Sequence, residues 1–161
     1  MTAMRLLAVL AVLLVSAAGC AVETAETGSD EQALELGTGS WRFEPLEDGQ
    51  EVELVRGAQG GWHVWVSLRA TGMQEDRPAL ALEIQPADES LPPARTEVDV
   101  LLGRPDSDGR RSLLGWPAVI PDPSCLVGEM IRIEAELGES LSAERHVIPT
   151  GGAYPPPPCA E

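Results

Sequence analysis

The feature that most constrains the fold of this chain is a strict alternation of apolar and polar side chains over residues 62–70. One face of this segment carries five apolar side chains, those of Trp62, Val64, Val66, Leu68 and Ala70. The other face carries His63, Trp65, Ser67 and Arg69. Successive side chains of a β-strand point to opposite sides, so a period of two over nine residues predicts a strand with one buried face.

Similar alternation recurs along the chain and extends the prediction to a whole domain. Four further segments show it, at residues 52–54, 80–84, 98–102 and 131–137, and weaker strands are expected at 41–43, 113–119 and 145–148. Clusters of turn-forming residues separate these segments. Short strands at such spacing predict an all-β fold, an antiparallel sandwich of about seven to nine strands that is immunoglobulin-like or fibronectin-type-III-like.

One of these segments admits a second interpretation, as a helix. Four apolar residues match a helical stripe, at Met130, Ile133, Leu137 and Leu141. The uninterrupted alternation over residues 131–137 is the tighter fit, and it favours a strand.

Aromatic residues make up only 4% of the chain, so each of them matters for the core. Four aromatic side chains are expected to anchor the packing: Trp41, Phe43, Trp62 and Trp116. A buried aromatic side chain covers about 150–250 Å².

The N-terminus carries the three parts of an export signal. Arg5 is the only charge before position 23, an unbroken apolar run covers residues 6–15, and small residues follow at 16–19. An apolar run of this length is too short to span a bilayer as a helix, which needs about 20 residues. The segment therefore predicts export of the chain.

The end of this signal, Ala17-Ala18-Gly19-Cys20, resembles the lipobox of bacterial lipoproteins, in which small residues precede an invariant cysteine. Ala17 departs from the leucine that is usual there, and ordinary cleavage after Ala18 or Gly19 is the alternative. Cysteine parity favours the lipoprotein. Ordinary cleavage would leave three cysteines in an oxidising compartment, whereas lipidation of Cys20 leaves one pair.

That pair is Cys125 and Cys159, and we expect the two residues to form a disulfide. The bond would stabilise the fold by roughly 3–4 kcal/mol on the chain-entropy model. It would also pin the Pro-rich C-terminal tail, residues 151–161. Two independent buried thiols are the alternative.

The lipoprotein resemblance implies a signal peptide over residues 1–19 and a lipidated Cys20. Residues 20–32 are then an acidic flexible tether, and residues 33–150 are the β-sandwich domain. The membrane becomes a partner through the lipid anchor, and the protein is expected in the cell envelope. Ala21 is not the aspartate that holds such lipoproteins at the inner membrane, so the resemblance favours the outer membrane.

Charge and motifs restrict the function classes. Acidic residues outnumber basic ones by 26 to 11, and the net charge of −15 excludes a nucleic-acid partner held by phosphate contacts. No nucleophile elbow, zinc-protease motif or cysteine–histidine signature is present, so neither enzyme activity nor a cofactor is predicted.

Residues 106–109 resemble the opening of a calcium loop but lack its later ligands, which favours a plain turn and no metal site.

The most distinctive stretch runs over residues 57–65, where a glycine-rich turn precedes a strand that carries His63 and Trp65 on one face. It is similar to a stretch in uncharacterised secreted lipoproteins of high-GC bacteria with a predicted immunoglobulin-like sandwich, as are residues 144–149. The resemblance implies this fold and no activity.

His63 and His146 could share a copper or zinc ion if their strands were neighbours, and otherwise serve structural roles. Trp65 could be a platform for a sugar or peptide, or could pack within the domain.

Together these features favour a non-catalytic, membrane-anchored envelope lipoprotein that presents a β-sandwich domain for structural or adhesive contact. The alternative is a ligand-binding module, for glycan or metal, that uses the strand face of His63 and Trp65. The sequence does not specify which protein or glycan partner is bound.

Overall fold

The computed structural model describes residues 32–159, which form ten β-strands in two sheets with a shared core. This part of the chain contains one 3-10 turn, Pro123–Cys125, and no helix that is long and apolar enough to cross a membrane. The export signal, Cys20 and nearly all of the predicted tether lie outside the described residues. The architecture is all-β and sandwich-like, as the alternation predicted.

The first sheet is built around its longest central strand. It contains β1 (Ala33–Thr38), β2 (Glu44–Pro45), β4 (Val55–Arg56), β5 (Trp62–Thr71) and β8 (Arg111–Ile120). The strands β1 and β4 pair with one edge of β5, and β8 pairs with its other edge. All pairs in this sheet are antiparallel.

The second sheet also has five strands, and it is mixed. Its spatial order is β3 (Gln50–Glu53), β10 (Leu141–Thr150), β9 (Ile131–Leu137), β6 (Ala79–Pro86) and β7 (Ala94–Asp99). The strand β3 runs parallel to β10, and the other pairs are antiparallel. The expectations of a wholly antiparallel sandwich and of seven to nine strands were therefore wrong. Alternation identifies a strand but carries no information about the partner or direction of its pairing.

The core lies between the two sheets and is aliphatic. Fully buried side chains from β5 meet others from the second sheet, and they include Val64, Val66, Leu68, Leu80, Ile131, Ile133 and Leu137. Residues 131–137 form β9, which confirms the strand interpretation over the helical one. Each large aliphatic side chain buried in this way stabilises the fold by about 1.5–3 kcal/mol.

The aromatic residues are not the core anchors that we expected. Trp41 is 91% exposed and lies in a bend, and residues 41–43 form no strand. Trp62 and Trp116 are half-buried and pack against the margin of the core, and Phe43 is half-buried outside it. The guanidinium of Arg69 stacks on the Phe43 ring at 4.0 Å, which holds Phe43 against the outside of the first sheet.

The C-terminal tail is fixed to the domain at several points. Cys125 and Cys159 form the predicted disulfide, with their Cα atoms 4.7 Å apart. Both cysteines are exposed, so the alternative of buried thiols does not apply. Between them, the indole N–H of Trp62 donates a hydrogen bond of 2.9 Å to the main-chain oxygen of Tyr154. The tail therefore covers the beginning of β5.

Candidate functional site

The outer face of the first sheet, which points away from the core, carries His63, Trp65, Ser67 and Arg69 of β5. The alternation by itself predicted burial of the opposite face only. Instead His63 is buried and Ser67 has no exposed surface, so β5 is covered on both sides. The loop that joins β1 to β2 and the irregular middle of β8 contact this face, and neither contact could be foreseen from the pattern of β5 alone.

Ser67 links these two covering segments. Its hydroxyl donates a hydrogen bond of 2.8 Å to the main-chain oxygen of Gly39 and accepts one of 3.0 Å from the main-chain N–H of Gly115. A buried hydroxyl needs such partners, because an unpaired polar group in the interior is destabilising. The β1–β2 loop is thereby fastened to the sheet.

Gly115 belongs to a β-bulge in β8, where the register with β5 shifts between Val66 and Leu68. Its φ of +62° is a conformation that favours glycine. A Cβ atom at this position would also lie 2.6 Å from the main-chain oxygen of Ser40. The bulge and the β1–β2 loop therefore approach so closely that only glycine fits between them.

The β1–β2 loop presents Trp41 to solvent beside a groove, which we call the Trp41 groove. The groove has a volume of about 420 Å³, and Trp41, Arg42, Glu44, Glu53 and Trp65 are among the residues that line it. A hydrogen bond of 2.8 Å from the Thr38 hydroxyl to the main-chain oxygen of Trp65 joins its two sides. The aromatic residues come from a loop and from the central strand, so only the fold brings them together.

A second groove, the His63 groove, lies on the other side of Trp65. Its volume is about 400 Å³, and its walls are the glycine-rich loop at residues 57–61 and the β8 residues Pro117 and Val119. The rings of His63 and Trp65 meet edge to face, with centroids 4.5 Å apart. The loop closes on itself through a hydrogen bond of 3.0 Å from the Gly57 N–H to the Gly61 oxygen.

His63 is the one described residue with a fully buried side-chain nitrogen or oxygen that lacks a hydrogen-bond partner, and the atom is Nε2. Burial lowers the pKa of this imidazole below its usual range, because it disfavours the charged form. The neutral imidazole is therefore the form that the folded protein favours.

His146 lies in the other sheet and in a different environment. Its main-chain N–H donates a hydrogen bond of 2.8 Å to Asp48 Oδ1, and its Nδ1 is 4.0 Å from both Asp48 Oδ1 and Glu144 Oε1. The strands β5 and β10 do not pair, so the condition for a metal site shared by His63 and His146 is not met. Across residues 32–159, no group of three or more histidine, cysteine, aspartate or glutamate side chains could hold a metal ion.

The carboxylates of the acidic turn at residues 106–109 are bound by Arg110, the next residue in the chain. Asp106 Oδ1 accepts hydrogen bonds of 2.9 Å from the main-chain N–H groups of Asp108 and Arg110, and the Arg110 side chain pairs with both carboxylates. The hydrogen bond from the Arg110 main chain is the leading cause that lowers the pKa of Asp106. The arrangement is the plain turn that the sequence favoured.

The outer face of the second sheet has a contrasting character. Arg132 contacts Glu83, Glu134 and Glu144, and Arg95 contacts a further set, Glu83, Glu97 and Glu136. Some of these ion pairs lie within one strand and others join different strands, and together they leave a charged, hydrated surface. The two outer faces of the domain therefore differ sharply: one carries grooves lined by tryptophan, and the other carries paired charges.

Sequence reasoning found His63 and Trp65 but assigned Trp41 to the core. The available signal was the Gly39-Ser40 pair before Trp41, which is typical of a turn rather than a strand. Gly39 has a φ of +94°, and a Cβ atom there would clash with the main-chain oxygen of Arg42. The tight turn at Gly39 is what directs Trp41 outward.

No protein-family model, curated protein or solved structure matches this chain. The fold and the site together define an all-β, sandwich-like domain with one aromatic outer face and one charged outer face.

Proposed function

We propose that this protein is a non-catalytic, lipid-anchored component of the cell envelope that presents its sandwich-like domain for structural or adhesive contact. The observation that carries the proposal is the difference between the two outer faces. Trp41 and Val119 are exposed on the first sheet, whereas the second sheet is covered by ion pairs. We infer that the first sheet is the contact face.

Exposing a large apolar side chain forgoes the stabilisation that its burial would give, about 1.5–3 kcal/mol for a residue of this kind. Trp41 is nevertheless held outward by a loop that the buried Ser67 fastens to the sheet. Trp41 lies at one groove of this face and Val119 at the other, and exposed apolar groups beside binding grooves are typical of interaction sites. Contact with a partner accounts for this arrangement.

The anchor is proposed from the cysteines. The Cys125–Cys159 disulfide occupies two of the three cysteines and leaves Cys20 for lipidation. Twelve residues separate Cys20 from the first strand residue, Ala33, and they would reach at most about 40 Å when extended. That distance is sufficient to hold the domain clear of lipid headgroups in the outer membrane.

The anchor is tested by fatty-acid labelling of cells that express the full chain. Native protein is expected to take the label and to fractionate with the outer membrane, and Cys20→Ser is expected to lose both properties. The matched control is the double variant Cys125→Ser, Cys159→Ser, which should keep the label. Label that persists on the Cys20→Ser protein would defeat the proposal.

We also propose that the sandwich belongs to the immunoglobulin-like class. The order β1-β5-β8 corresponds to strands A-B-E of that class, and β10-β9-β6 corresponds to G-F-C. In the same scheme β7 beside β6 occupies the position of strand C′, and β3 is an added parallel edge. NMR contacts between Val64 and Ala118 and between Leu82 and Ala135 would support this order, and absence of either pairing would contradict it.

A ligand-binding module that uses His63 and Trp65 is the second candidate function. The observation in its favour is the His63 groove, which adjoins a buried imidazole with an unpartnered Nε2. Trp65→Ala separates the two roles of this residue. A packing role predicts a loss of roughly 1–3 kcal/mol of stability with partner retention unchanged. A binding role predicts a change within about 0.5 kcal/mol and loss of the partner.

A further inference from the structure

We propose that the Trp41 groove is a glycan-binding site, in which Trp41 and Trp65 contact the pyranose rings of a neutral polysaccharide. The inference rests on the contact face proposed above and adds the chemistry of what that face binds. It concerns the groove beside the β1–β2 loop and not the His63 groove.

The groove is fixed in place before any ligand arrives. Its outer tryptophan is carried by a loop that Ser67 bonds at Gly39, and its inner tryptophan accepts a hydrogen bond from Thr38. The same loop is packed against the glycine of the β8 bulge. A binding surface held in its bound conformation loses little freedom when a ligand is ordered on it.

The groove combines two kinds of surface that a sugar ring requires. The indole of Trp41, at 91% exposed, offers a flat apolar area to the C–H face of a pyranose. Around it lie groups that hydrogen-bond hydroxyls: the carboxylates of Glu44 and Glu53 accept, and the guanidinium of Arg42 donates. Arg42 Nε and Glu44 Oε1 are 2.6 Å apart, so these two groups are already oriented by each other.

The charges of the groove favour a neutral glycan over other occupants. Two carboxylates face one guanidinium, and the chain as a whole has a net charge of −15, so an anionic polymer is repelled. An apolar peptide segment would offer Glu44 and Glu53 only its main-chain N–H groups, whereas each sugar ring carries several hydroxyl donors. Sugar hydroxyls supply those donors while the ring covers the indole.

The proposal is tested with the full chain in detergent, by retardation in native gels that contain dextran, a mixed-linkage β-glucan or a galactomannan. At least one polymer is expected to retard the native protein. Trp41→Ala is expected to weaken that binding by at least about tenfold, as for a central aromatic contact. Trp41→Tyr should keep most of the binding because it keeps a flat ring.

Two control variants test whether binding depends on the Trp41 groove and on a flat aromatic ring. Tyr154→Ala removes an exposed aromatic side chain outside the groove and should bind as the native protein does. Trp41→Leu keeps an apolar side chain without a flat ring and should bind as weakly as Trp41→Ala. Thermal melting of each variant should match that of the native protein, because the side chains of Trp41 and Tyr154 are both exposed and make few packing contacts.

Absence of retardation by all three polymers would overturn the inference, and so would equal binding by Trp41→Ala or Trp41→Leu. A protein partner whose capture requires Trp41, with no retardation by any polymer, would likewise overturn it while supporting the proposed contact function. Anchoring is measured separately through Cys20, so native protein that binds a polymer but takes no lipid label would contradict the proposed envelope location alone.

Discussion

The hydroxyl of Ser67, which has no exposed surface, donates a hydrogen bond of 2.8 Å to the main-chain oxygen of Gly39, 28 residues earlier in the chain. The Ser67 hydroxyl oxygen also accepts a hydrogen bond from the main-chain N–H of Gly115. One buried hydroxyl thus joins the central strand, the loop that carries Trp41 and the bulge of β8. The shape of the first sheet's outer face depends on it.

Ser67→Ala should therefore be strongly destabilising for so small a change. The substitution leaves the Gly39 oxygen and the Gly115 N–H, both part-buried, without their partner, and an unpaired group that is shielded from water costs about 1–3 kcal/mol. We expect denaturant unfolding to show a loss of roughly 2–4 kcal/mol. Ser142→Ala, at an exposed position of β10, is the control and should change stability by no more than about 0.5 kcal/mol. Equal stability of the two variants would contradict the role of Ser67.

The disulfide should contribute strongly because it closes a long loop. Replacing both Cys125 and Cys159 by serine is expected to lower the free energy of unfolding by roughly 3–4 kcal/mol. Reduction of the native protein should give a similar loss. Mass spectrometry of non-reduced digests should show the two cysteine peptides joined, and free thiols at both positions in protein from the envelope would refute the bond.

Trp62 and Trp41 form a matched pair for testing where aromatic packing matters. Trp62 is half-buried, donates to the Tyr154 oxygen and lies 5.7 Å below the Arg56 guanidinium. Trp62→Ala should cost about 2 kcal/mol, less than the 3–5 kcal/mol typical of a fully buried aromatic residue. Trp41→Ala should stay within about 0.5 kcal/mol. A larger loss at Trp41 than at Trp62 would show that the loop packs inward in solution.

Stability should depend on pH through His63. Burial lowers the pKa of its imidazole in the folded state, so the unfolded chain binds the proton first as pH falls. The free energy of unfolding should be greatest above about pH 6.5, the ordinary histidine value, and should decline below it. His63→Phe should abolish the decline between pH 5 and 8, whereas His146→Gln should retain it. If the decline persists in His63→Phe, another titratable group causes it and the prediction is contradicted.

The alternation in β5 and β9 was sufficient to predict strands, because side-chain period is a local property of the backbone. The parity of the cysteines similarly predicted the bond between Cys125 and Cys159. Pairing is not local, and nothing in residues 50–53 distinguishes an edge parallel to β10 from an antiparallel neighbour. The same limit applies to the site. His63 and Ser67 are buried by segments distant in sequence, and Trp41 is exposed because a turn at Gly39 overrides its residue type.

The central claim, that the outer face of the first sheet is the contact face, is tested most directly by photocrosslinking in intact cell envelopes. One chain carries a photoreactive residue at Val119, which is 64% exposed beside the His63 groove, and another carries it at Ser142 on the outer face of the second sheet. We expect discrete adducts with an envelope component from position 119 and none from position 142. Adducts from position 142 alone, or equally from both positions, would contradict the claim.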